Sequence, residues 1–184
     1  MLRALLPILF LVEPAAAQEG LAQKLFSGVA PDKFVDAFIG LCISNPGRLD
    51  KVAVTAQALG YTDLPDDVAL MLAPQAPDAK FKGWLSIHGV GSPFILGISE
   101  GPFREESYQF CALSNPYISA EAIMPRATEL LVLGDQYMDE TTAGQRMRGW
   151  TVPNIQENGF LTINDISGMG YSGVTISFSA PRQY

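Results

Sequence analysis

The sequence is poor in the residues on which most enzyme chemistry turns. A single histidine, His88, serves all 184 residues. Any Ser–His or Cys–His mechanism would have to run through it, because general-base work needs a group titrating near neutrality. No second histidine is available for a zinc site, and S-x-x-K does not occur. Basic residues are also scarce, with 12 Lys and Arg against 19 Asp and Glu, a net charge of −7. That balance excludes nucleic acid as a partner, since binding there depends on cations neutralising phosphates. It equally disfavours docking on anionic lipid. The apolar run Ala4–Val12 has nine residues, about half of the roughly 20 that a membrane span needs, so no permanent membrane anchor is expected. Two cysteines are too few for a cysteine-rich scaffold.

What is present begins with an address. Arg3 gives a short positive region, Ala4–Val12 an apolar core, Glu13-Pro14 a break, and Ala15-Ala16-Ala17 small residues ahead of Gln18. That is the layout of a secretory signal peptide. We therefore expect residues 1–17 to be removed, residues 18–30 to form an N-terminal lead, and residues 31–184 to fold as a single α+β domain. Removing the signal takes away one base and one acid, so the charge stays at −7. Export places the chain in the periplasm or outside the cell, where Cys42 and Cys111 are expected to form a disulfide.

Apolar spacing supplies the elements. Phe34, Val35, Phe38, Ile39 and Cys42 fall on one stripe and predict a helix near 31–43. Asn45 as cap and Pro46 at the first position predict a second helix, which Gly60 ends, and the two helices form an N-terminal hairpin. Asp63–Leu72 holds one more short helix, and Ala73–Ala79 is a linker. From Phe81 the period changes to two, predicting strands over 81–88, 94–99 and 108–113, with a turn at Gly89–Gly91. Ser119 caps a further helix that Pro125 should kink. Strands near 145–152, 160–166 and 173–180 close the chain, the last alternating Val174, Ile176 and Phe178 with Thr175, Ser177 and Ser179. The expected fold is thus α+β: a largely antiparallel sheet of five or six strands, an N-terminal helical hairpin and one inserted kinked helix.

Several motifs lead nowhere chemical. Gly168–Gly173 matches G-x-G-x-x-G but runs into a strand, whereas pyrophosphate binding needs a helix there. Asn154, Gln156, Asn158, Gly159 and Asp165 have calcium-loop spacing, yet only one is charged and the flanks are strands. Cys42-Ile-Ser-Asn-Pro46 and Cys111-Ala-Leu-Ser-Asn-Pro116 echo each other as two helix-start signals that follow cysteines. Trp84 and Trp150, with His88 nearby, form a candidate binding patch if the rings face outward, although core positions suit tryptophan better. No catalytic, cofactor-binding or metal-binding residues are assigned. The reading is an exported, non-enzymatic protein that binds a partner or ligand. Its alternative is a carboxylate hydrolase acting on envelope or extracellular material, provided that the acidic segments 63–67 and 135–140 share a cleft.

Overall fold

Phe34, Val35 and Phe38 do line one side of a helix, α1 (Pro31–Phe38), and all three are fully buried. The computed structural model describes residues 30–72, 80–88, 93–103, 105–170 and 172–183. The signal segment, the lead up to Val29, the linker and the glycine turn lie outside the described residues. After α1 the chain widens into a π-turn over Ile39–Ile43, which carries Leu41 and Cys42 into the core. Then α2 (Leu49–Ala58) buries Val52 and Ala56. A short helix, α3 (Asp66–Leu72), and a longer one, α4 (Ala120–Leu130), are the other α-helices among the described residues.

The expected N-terminal helical hairpin is not formed. The main helical partner of α1 is α4, some 90 residues later, and Arg126 donates from Nε and Nη2 to Asp36 Oδ1 at 3.1 and 2.9 Å to join them. The π-turn and the bend through Gly47 (φ 66°) turn α2 away onto β3 (Phe94–Phe103) and β4 (Glu106–Asn115). Asn45 is not the cap either. Helix α2 starts at Leu49, whose N–H donates to the side chain of buried Gln109 on β4 at 3.1 Å, so the sheet satisfies the helix end. Gly60 behaves as expected: at φ 72° it closes α2, while the N–H of Tyr61 donates to Ala56 O. Ser119 caps α4 through Ala122 N–H, and α4 runs unbroken through Pro125.

The sheet has eight strands, not five or six. In spatial order they are β1 (Thr62–Asp63), β2 (Lys80–Ser86), β3, β4, β8 (Val174–Pro181), β7 (Phe160–Asp165), β6 (Gln145–Thr151) and β5 (Gln136–Thr142). Every neighbouring pair is antiparallel. The two unexpected strands, β1 and β5, are the two edges. Strand β1 has only two residues, and β5 is exposed along nearly its whole length, so neither carries the half-buried alternation that marks a strand.

The architecture has an internal order that the Cys-Asn-Pro echo does not capture. Strands β1–β4 form one meander and β5–β8 another, and their last strands meet along a central seam that pairs Ala112 with Ser177. The echoing cysteines are not equivalent positions. One sits in the π-turn and the other on β4, and they are bonded to each other, with Cα atoms 5.5 Å apart and a sequence separation of 69. The described helices that reach the core do so from one side, where Leu96, Leu113, Leu161, Ile163 and Ile176 are fully buried.

Candidate functional site: the uncovered face of the sheet

Alternation along each strand sends every second side chain to the face opposite the helices. In β4 these are Tyr108, Phe110, Ala112 and Ser114, whereas Cys111 and Leu113 point to the core. Register carries the pattern across the sheet. Phe110 lies beside Ser179, which lies beside Phe160, and Ala112 lies beside Ser177, which lies beside Thr162. Helices α1, α2 and α4 pack on the other side; at the β1 margin of this face Leu64, 8% exposed, lies against Gly83 just before α3, which contacts β2. On the six strands inside the edges, the only charged residue of this face is Glu106, at the start of β4.

The face has two halves. At one end the rings of Phe103, Tyr108, Phe160 and Tyr137 touch edge to face, with centroids of Phe103 and Tyr108 5.0 Å apart and of Tyr137 and Phe160 5.2 Å apart. Phe103 and Tyr137 remain 37% and 43% exposed. Tyr137 reaches this face through a bulge in β5 opposite Gly149, which has no side chain to block the ring. Tyr108 is buried, and its hydroxyl donates to Asn158 O at 3.2 Å. At the other end the central strands carry small and hydroxylated residues, with Leu85 and Ile95 on one flank and Met147 on the other. Ser114 and Thr175 hydroxyls bond each other at 2.8 Å, and Thr162 bonds Ser177 in the same way across β7 and β8.

The residues singled out by sequence sit elsewhere. Trp84 is fully buried on the helix side of β2, with Lys82 Nζ 5.0 Å from its ring centre. Trp150 is 9% exposed on the helix side of β6. Neither ring is available at the surface, and His88 lies exposed past the end of β2, so the three do not make a shared patch. The acidic segments are at opposite margins: residues 62–63 form one edge strand and residues 136–142 the other. Seven interstrand steps separate them, roughly 34 Å at about 4.8 Å each, whereas a glycosidase pair works at about 5–9.5 Å. Asp165, from the calcium-like spacing, is buried and accepts from Ser167 N–H at 2.8 Å. Gly168 and Gly170 belong to a short 3-10 turn leading towards β8.

Electrostatics on the helix side are structural. The Arg126 guanidinium bonded to Asp36 holds that carboxyl below the ordinary carboxylate range, and Arg146 does the same to Asp139. Beside Arg146, Arg148 is 12% exposed, and its buried Nε and Nη2 make no hydrogen bond, with Glu121 Oε1 3.9 Å from Nη2. Among the described residues no group of three or more His, Cys, Asp or Glu is placed to hold a metal ion. No described helix is long and apolar enough to cross a membrane.

The aromatic residues of the uncovered face were not picked out from the sequence. The alternation of Tyr108 and Phe110 with Cys111 and Leu113 was the available signal, but it does not say which face the helices take. The chain matches no protein-family model, no curated protein and no solved structure.

Proposed function

We propose that this chain is an exported, non-enzymatic binding protein, periplasmic or secreted, whose partner docks on the uncovered face of the sheet. The observation that carries the reading is the composition of that face. On a chain with net charge −7, it presents exposed aromatic rings and bonded hydroxyl pairs with charge only at its margins. Interface centres are depleted in charge and enriched in Tyr, Phe and Met, and such faces on soluble proteins mark interaction sites. The signal-peptide layout and the Cys42–Cys111 bridge support export.

Photo-crosslinking in the producing cell tests the proposal. A benzoyl-phenylalanine at position 103 or 137 replaces one exposed ring with another, and the same label at Val54, 62% exposed on α2, serves as the control. Discrete protein adducts from positions 103 and 137 but not from 54 are the expected result. Equal labelling from all three positions, or none from the sheet face, defeats the reading.

A further inference from the structure

We infer that the occupant of the uncovered face is a second copy of this chain, the two sheets stacking across a two-fold axis. The inference rests on the reading of that face as a binding surface and names its partner.

Area is the first argument. Seven long strands at about 4.8 Å spacing, each about seven residues at 3.3 Å, make a face of roughly 34 by 23 Å, on the order of 800 Å². A standard protein interface uses about 800 Å² per partner, far more than a small ligand covers. Charge is the second. Two copies of a chain carrying −7 repel wherever their carboxylates meet, and here the carboxylates stand back at Glu106 and, on the edge strand, Glu140.

Relief is the third argument. Large rings stand at one end of the face, and towards the other Ala112, Ser114, Thr175 and Ser177 make a low step on the two central strands, between Ile95 on β3 and Asn164 on β7. A two-fold axis in the interface, perpendicular to the strands, turns the second copy end for end. The rings of each copy then lie over the step of the other, with the sheets about 10 Å apart as in sandwiches. Burying the step costs little, because its hydroxyls already bond in pairs, Ser114 with Thr175 and Thr162 with Ser177.

Sedimentation equilibrium of the protein purified after expression from its full sequence decides the matter. Between about 1 and 100 μM, twice the chain mass should appear and dissociate on dilution. Ala112→Glu, which places a carboxylate under the rings of the other copy, should raise the dissociation constant at least tenfold with the circular dichroism unchanged. Phe103→Ser, a truncation of a partly exposed ring, is the second variant and should weaken association several-fold even if Ala112→Glu fails to fold. Val54→Glu on α2 should leave it unaltered. A single-chain mass at 100 μM, or folded face variants that associate as the parent does, would overturn the inference. If crosslinks from positions 103 and 137 capture only other proteins while the chain is monomeric, the dimer is refuted and the binding reading stands.

Discussion

The hairpin joining β5 to β6 turns through Ala143 (φ 51°) and Gly144 (φ 83°), a two-residue turn with both central residues left-handed. Alanine is strained there, since its Cβ meets the backbone carbonyl in this conformation, at a cost of about 1–2 kcal/mol. Asparagine enters it more readily, and Asn-Gly is the favoured pair for this turn. Ala143→Asn should therefore stabilise the protein by about 0.5–1 kcal/mol, readable as a higher denaturant midpoint with unchanged slope. Gly149 is constrained differently: an added Cβ would come within 2.6 Å of the Tyr137 ring. Gly149→Ala should displace that ring and cost about 1–3 kcal/mol; a neutral effect would show that Tyr137 does not sit where it is placed. The Asp36–Arg126 pair gives a pH signature. Because the folded carboxyl titrates below its unfolded value, its contribution is present above about pH 4 and is lost as the pH falls through the folded value. Arg126→Gln should flatten the acid limb of stability against pH while leaving its slope near neutrality unchanged.

At the scale of elements, the disulfide dominates. It ties the π-turn after α1 to β4 and closes a loop with a sequence separation of 69. In the chain-entropy model that is worth about 4 kcal/mol, a large share of a typical 5–15 kcal/mol. The Cys42→Ser/Cys111→Ser variant should keep the topology yet melt well below the parent, on the order of 10 °C lower for a chain of this size. This bridge was legible in the sequence, because two cysteines leave one intramolecular choice. So were the six strands with a buried face, and Ser119 and Gly60 as helix boundaries. The edge strands were not, since Gln136–Thr142 buries neither face and reads as an acidic loop. The helical hairpin was misjudged for a related reason. Periodicity shows that Phe34, Val35 and Phe38 are buried, but not that Ile123 and Ala127 of a distant helix help to bury them.

For the whole molecule, the first expectation is processing. Intact mass of the exported protein should begin at Gln18, and retention of Met1 in a membrane fraction would contradict it. The architecture also sets an order of events. The central seam joins β4 to β8, so Ala112 finds Ser177 only after 65 further residues have followed it. Until then β4 has a bare edge in the middle of what will be the sheet, and such edges invite foreign pairing. Both ends of the disulfide, by contrast, lie at or before residue 111, ahead of every strand of the second meander. The bridge therefore has its two partners available before the second meander has emerged. A chain that crosses a membrane unfolded and in sequence order would meet the oxidising side with its staple first and its keystone strand last.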